Sequence, residues 1–393
     1  MNFAGIITEY DPFHNGHAAQ LAMLRARGAK TIAVCMSAGA VQRGGLPLLP
    51  ESPRVEAALH GGADLVVALP GPYASASAEG FAAAGVALLA ALGCDTLAFG
   101  AETPDQAQLL QTAALLQSTD FSMRLRNFLD DGVPFAAARA QAAELLQPGA
   151  GALLASPNNI LGVEYCKAIL AQCAPLEPLP LPRLGAAHGG SGTGVAAGAP
   201  VASASALRQR VTQRGLAALE AFVPPRAYAL YQTAVAAGEL VDNAKFSTAI
   251  LAMLRGKSQI ELATVRGVGE GLDYRLGAAV RSARDVEGLY AALQTKRYPT
   301  ARLRRLVLDA ALGTPPCLSA PPYLHVLGAR RAVLPLLKNA ALPASTSLAE
   351  LEKRGAACQQ IAKLHSKAVD FSALCRQQTM PMGLAYTVKP VVL

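Results

Sequence analysis

Short apolar runs at Phe3–Ile7, Thr31–Met36, Leu65–Leu69 and Thr96–Phe99 each stand beside a longer Ala/Leu-rich stretch of helical spacing. Such an alternation predicts βαβ units: a buried parallel sheet with right-handed crossovers and helices on both faces. Residues 105–175 read as mainly helical. Glu177–Pro182 reads as a fifth strand, confined to a sheet edge by its prolines. The stretch Gly185–Pro200 is rich in glycine and alanine and has no period, so a mobile loop is expected there. Pro224-Pro225 then interrupts the pattern, helical spacing runs from Arg226 to Leu312, and Pro321–Leu327 reads as one strand of a small final α/β unit. The expectation is a Rossmann-like doubly wound α/β domain at 1–222, followed at 223–393 by a mainly helical domain with a small α/β C-terminal unit.

Composition narrows the class. With 393 residues, 52% of them hydrophobic, the chain can bury more than one core. Its seven cysteines form no CxxC pair, which argues against a zinc ribbon and a disulfide framework and fits a reducing compartment. Met1-Asn2-Phe3-Ala4-Gly5 carries no basic segment and soon meets Glu9 and Asp11, unlike a signal peptide. Gly80–Cys94, the longest uncharged apolar helix candidate, is shorter than the ~20 residues a bilayer span needs. A cytoplasmic protein with no membrane association is expected. Charge divides the chain: residues 1–200 hold 10 Lys and Arg against 15 Asp and Glu, a net of −5, whereas residues 201–393 hold 25 against 12, a net of +13. An acidic half joined to a basic half suggests a catalytic domain with a polyanion-binding partner domain, RNA in particular. The densest cluster runs from Lys296 and Arg297 to Arg302 and Arg305, and its bland reading is a solvated helix start.

The candidate chemistry sits at the end of the first strand. His14-Asn15-Gly16-His17 puts two imidazoles one helical turn apart where a strand feeds a helix, at which free backbone N–H groups and the helix dipole favour an anion. Ligands of open α/β sheets bind at the carboxyl ends of strands, which favours a phosphate site over plain helix capping. The pattern resembles the HxGH signature of the nucleotidyltransferase superfamily, whose histidines contact ATP phosphates. Further on, Ser203, Ser205 and Arg208 offer two hydroxyls and a fixed positive charge at a helix start, suited to a polyphosphate. That run resembles the second signature of cofactor adenylyltransferases. Gly189-Gly190-Ser191-Gly192 lacks the spacing of a nucleophile elbow, and Gly267–Gly271 that of a dinucleotide fingerprint. Lys245-Phe246-Ser247 reads more simply as a helix start than as a synthetase-type lysine.

Taken together, EYxPFHNGH at Glu9–His17, VQRG at Val41–Gly44, FGAE at Phe99–Glu102, the block Ser156–Tyr165 with its PNNxLGxEY core, and TKRYPTARLRR at Thr295–Arg305 resemble the tRNA(Met) cytidine acetate ligase family. Asp11 stands where the family pattern has asparagine, adding negative charge beside the proposed phosphate site. The resemblance implies a nucleotidyltransferase-type sheet and a two-step reaction. Acetate attacks the α-phosphorus of ATP to give acetyl-adenylate and pyrophosphate, and N4 of the wobble cytidine of elongator tRNA(Met) then takes the acetyl group. It implies His14 and His17 as catalytic donors. ATP would be held by Ile7, Thr8, Glu9, Tyr10, Asp11, Pro12, Phe13, His14, Asn15, Gly16, His17, Ala18, Ala19 and Gln20, and by Gly100, Asn158 and Arg183. Ser205 and Arg208 would join that site, Mg²⁺ would accompany the triphosphate with no metal site of the protein's own, and Lys296, Arg297, Arg302 and Arg305 would bind tRNA. The rival readings are a cofactor adenylyltransferase, which is usually far shorter, and a non-catalytic RNA-binding protein on the same fold.

Overall fold

The computed structural model describes residues 1–183, 194–196, 198–269, 271–295 and 298–393. Five parallel strands follow the predicted series: β1 (Phe3–Thr8), β2 (Thr31–Ser37), β3 (Leu65–Leu69), β4 (Thr96–Ala101) and β5 (Glu177–Pro182), in the spatial order β3-β2-β1-β4-β5. β1 is central, with Phe3 opposite Thr31 and Thr8 opposite Met36 along β2, and Ala4 opposite Thr96 on β4. β5, with prolines at 178, 180 and 182, pairs on one side only, as a strand that lacks those N–H donors must.

The alternation of β1 splits its side chains between two cores. Ile7 joins Cys35, Val67, Leu69, Phe81, Leu89 and Phe99 beneath the helix Ala78–Leu92. Ile6 joins Val34, Met36, Leu21, Leu24 and Val55 beneath the helices Asn15–Ala26 and Glu51–His60. A third core of Ile250, Leu254, Leu276, Leu289, Leu303 and Val307 belongs to the helices between Asn243 and Leu312, where helical spacing is predicted.

Two expectations need correction. The residues 194–201 are not a structureless loop, because β6 (Gly194–Ala196) and β7 (Ala199–Val201) pair antiparallel as a hairpin; residues 184–193 and 197, which include the Gly189–Gly192 run, lie outside the described residues. The final strand does not seed a small unit of its own. β8 (Leu324–Ala329) runs antiparallel beside β3, with Leu65 opposite Ala329, and carries β9 (Ala344–Ser345) and β10 (Val391–Val392) at the edge of the same sheet. The first and last parts of the chain therefore share one sheet, and β3, buried on both faces, gains a hydrogen-bonded neighbour on its outer side. Among the described residues no helix is long and apolar enough to cross a membrane.

Candidate active site

β1 ends at Thr8, and the connection Glu9–Phe13 leads to His14, the N-cap of the helix Asn15–Ala26. The two histidines cap that helix reciprocally. Gly16 N–H donates to His14 Nδ1 at 3.1 Å, and His14 N–H donates to His17 Nδ1 at 3.3 Å. Their rings stack 3.7 Å apart at 24°. Tyr10 and Phe13 wall the pair from behind, with Tyr10 4.7 Å and Phe13 5.8 Å from the His17 ring centroid. The Tyr231 hydroxyl donates to the Phe13 carbonyl at 3.1 Å and fixes that wall.

Burial pushes the His14 pKa down to about 3, and the charges of Arg183 and Arg208 add to the shift. Burial, then His14 and Arg183, hold His17 well below its usual value. Both rings are neutral near pH 7. Since each Nδ1 accepts a backbone hydrogen bond, the hydrogen-bond pattern assigns the ring proton to Nε2 in both, leaving two N–H donors for an anion.

Cations surround this pair. Arg208 Nη1 donates to the Asp11 carbonyl at 2.6 Å and lies 3.4 Å from Asp11 Oδ2. Asp11 Oδ1 accepts from Leu48 N–H at 2.7 Å. The Asp11 charge is thus matched by an arginine and a backbone donor, and its carboxylate anchors Arg208. Ser203 caps the helix Ala204–Arg214, while the exposed Ser205 hydroxyl accepts from Arg43 Nη1 at 3.4 Å. Arg43 belongs to the VQRG segment, and sequence reasoning did not place it in the site; its signal was that motif's presence without an assigned role. Arg54 was missed as well. It is fully buried and donates to the carbonyls of Glu9 at 2.7 Å, Ser37 at 3.0 Å and Pro50 at 3.2 Å, tying β2 to the turn after β1.

On the other side of β1, Gly100 near the end of β4 lies against Arg183, whose Cγ would be 3.4 Å from an added Cβ. Asn158 opens the helix Pro157–Gln172 and donates from Nδ2 to Glu102 Oε1 at 2.5 Å. Glu9 accepts from Gln42 N–H at 2.7 Å, and burial and Asp11 raise its pKa. Asn15 turns away from a ligand: its Nδ2 donates to the carbonyls of Pro200 at 2.9 Å and Ala221 at 3.0 Å, holding the β6–β7 hairpin to the helix. Ile7 is a core side chain, so only its backbone is available, and Thr8 Oγ1 accepts from Tyr10 N–H at 3.3 Å. Pro12 is buried, and Ala18, Ala19 and Gln20 are half-buried on the first turns of the helix.

The basic cluster is divided by its environment. Lys296 and Arg297 lie outside the described residues. Arg302 places its guanidinium carbon 4.5 Å over the Tyr298 ring. Arg305, one turn on in the helix Thr300–Leu312, reaches inward to the Gln42 carbonyl at 3.5 Å. The Lys245 ammonium donates to the carbonyls of Arg376 and Gln377 and to Thr379, and Asp242 caps its helix, as the helix-start reading expects.

A family model described as HIGH Nucleotidyl Transferase matches residues 1–383. The tRNA(Met) cytidine acetate ligase of Latilactobacillus sakei is 38% identical over 320 residues, covering 80% of this chain and 78% of that one. The protein of the same name from Caldanaerobacter subterraneus is 31% identical over 369 residues, covering 90% of each chain. Among solved structures, Thermotoga maritima TmcAL bound with alpha-thio ATP superposes with a TM-score of 0.90 over 100% of both chains at 24% identity, which establishes a common fold. With the HxGH histidines capping the first helix of that fold, the chain belongs to the tRNA(Met) cytidine acetate ligase family of HIGH nucleotidyltransferases.

Proposed function

We propose that this protein is an ATP-dependent ligase that activates acetate as acetyl-adenylate and passes the acetyl group to N4 of the wobble cytidine of elongator tRNA(Met). The observation that carries the reading is the pair of neutral histidines whose Nδ1 atoms are held by the backbone. In adenylyl transfer, negative charge accumulates on the α-phosphoryl oxygens, and preorganised donors in a dry site stabilise it with little acid–base work. His14 and His17 supply those donors through Nε2, with no proton to lose at neutral pH. Arg183, Arg208 and Arg43 line the same site and would attract the triphosphate, with pyrophosphate as leaving group. Among the described residues no cluster of three His, Cys, Asp or Glu side chains could hold a metal ion. Mg²⁺ would arrive with the triphosphate, whose charge it screens.

A division of labour accompanies this chemistry: residues 1–222 hold ATP, and the basic residues 223–393 hold tRNA, although strands from both build one sheet. Length and the basic half argue against a cofactor adenylyltransferase. Incubation with α-phosphorus-labelled ATP, separately carbon-labelled acetate and total tRNA tests the reading. AMP and pyrophosphate should form in equal amounts, with acetyl label on tRNA. ADP and orthophosphate as stoichiometric products would exclude the mechanism, and labelled tRNA without acetyl transfer would point to nucleotidyl transfer instead.

A further inference from the structure

We infer that Glu102 is a positioning residue for ATP, acting through Asn158 and Arg183; this rests on the reading of the site given above. Glu102 follows β4, and its side chain is 14% exposed. One carboxylate oxygen, Oε1, accepts from Asn158 Nδ2 at 2.5 Å, and the other, Oε2, accepts from Asn159 N–H at 2.9 Å. Arg183 Nη1 stands 4.0 Å from Oε1, and the Arg183 stem lies against Gly100. One carboxylate thus gathers β4, the first turn of the helix Pro157–Gln172 and the residue following β5. The Asn159 side chain reinforces the junction: its Oδ1 accepts from Thr103 N–H at 3.0 Å and its Nδ2 donates to Thr103 Oγ1 at 3.2 Å.

The chemistry of the acceptor matters. An ionised carboxylate accepts on both oxygens, so it can meet two donors at once. With Nδ2 of Asn158 committed to Glu102, its Oδ1 is the atom left to accept from a ligand, which suits a ribose hydroxyl or an exocyclic amine. A carboxylate near Arg183 also holds that guanidinium in place before ATP arrives, which lowers the ordering cost of binding. Its negative charge would, on Coulombic grounds alone, repel a triphosphate. Positioning and repulsion therefore predict opposite signs when the charge is removed.

Glu102→Gln keeps the shape but must offer one N–H₂ where an acceptor is needed, either to Asn158 or to the Asn159 N–H. Calorimetric titration of ATP into the full chain, together with initial rates of pyrophosphate release, should show Kd and KM raised roughly tenfold or more, the scale of one lost charge-assisted hydrogen bond. The kcat should change less than threefold. Glu102→Asp, which keeps both acceptors on a shorter stem, should recover part of the loss and guards against a folding defect. In the Arg183→Ala background the same Glu102→Gln change should cost less, because residues acting as a unit are not additive. Unchanged or tighter ATP binding by Glu102→Gln, a loss confined to kcat, or full additivity with Arg183→Ala would overturn the assignment. Failure of the unaltered protein to bind ATP would overturn the site reading itself.

Discussion

His14 serves the helix with Nδ1 and faces the site with Nε2, so capping and chemistry can be separated by substitution. Asparagine is a good N-cap and can accept from the backbone as Nδ1 does, but it has no donor at the Nε2 position. His14→Asn should keep thermal stability within about 1 kcal/mol of the parent and lower adenylate formation roughly 10²-fold, the usual effect of losing one transition-state donor. A folded variant with near-normal pyrophosphate release would remove His14 from the chemistry. The pH profile offers a second check. Because burial holds the His14 pKa at about 3, the folded ring stays neutral as pH falls through 6.5, and turnover should show no loss centred there that His14→Asn abolishes. The histidines were readable in the sequence because the motif is local: strand, turn and N-cap are contiguous. Arg43, Arg54 and Glu102 were not, since each acts through a partner far along the chain, and an isolated arginine or glutamate carries no mark of the fold that will bury it.

At the scale of elements, the segment Val41–Gly45 connects the turn that follows β1 to the basic helix. Val41 and Gly45 bridge each other across the turn. Gln42 donates its N–H to Glu9 and offers its carbonyl to Arg305. Gly44 adopts a φ of +78°, and a Cβ there would lie 2.4 Å from Arg305 N and 2.5 Å from the Arg304 carbonyl carbon. Backbone cannot swing aside as a flexible side chain can, so Gly44→Ala must push the helix Thr300–Leu312 away. Gly28 supplies the control: its φ is +91°, and nothing lies within 4 Å of an added Cβ. Gly28→Ala should cost about 1–2 kcal/mol for the left-handed backbone alone, and Gly44→Ala measurably more in thermal melts. Equal losses would mean that the turn is not wedged under the helix. The parallel strands were legible here because each is a contiguous apolar run. The placement of β8 was not, since an apolar run reads alike in a parallel and an antiparallel neighbour, and about 255 positions separate it from β3. The β6–β7 hairpin was missed because its strands are three residues each and carry no periodicity.

For the whole molecule, the charge asymmetry is the property that bears on tRNA, and the structure separates two arginines that the sequence treated alike. Arg302 is half-buried with its guanidinium carbon 4.5 Å over the Tyr298 ring, a stacked arrangement that engages the face of the group and leaves its N–H edge able to meet a phosphate. Arg305 turns toward Gln42, and burial lowers its pKa while Asp309 supports its charge. Asp309 in turn is held by Arg266 through Oδ2 at 2.9 Å and Oδ1 at 2.7 Å, and Arg266 also bonds Ser75 at 3.0 Å, so this region joins the two halves of the chain. Reversing Arg305 to glutamate would set a carboxylate against the Gln42 carbonyl and near Asp309, so the double reversal Arg302→Glu/Arg305→Glu would confound RNA binding with stability. The single substitution Arg302→Ala is the cleaner probe. It should weaken tRNA binding and reduce the slope of log K against log salt by up to about one unit, the share of one phosphate contact. The melting temperature should move less than for Arg305→Ala, because a half-buried cation stacked on one ring contributes about 0.5–2 kcal/mol. Arg305→Ala should do the reverse, lowering the melting temperature while leaving the salt slope near that of the parent. If Arg302→Ala binds tRNA with the parent's affinity and slope at low salt, the start of this helix is ordinary protein surface and the RNA lies on another part of the basic half.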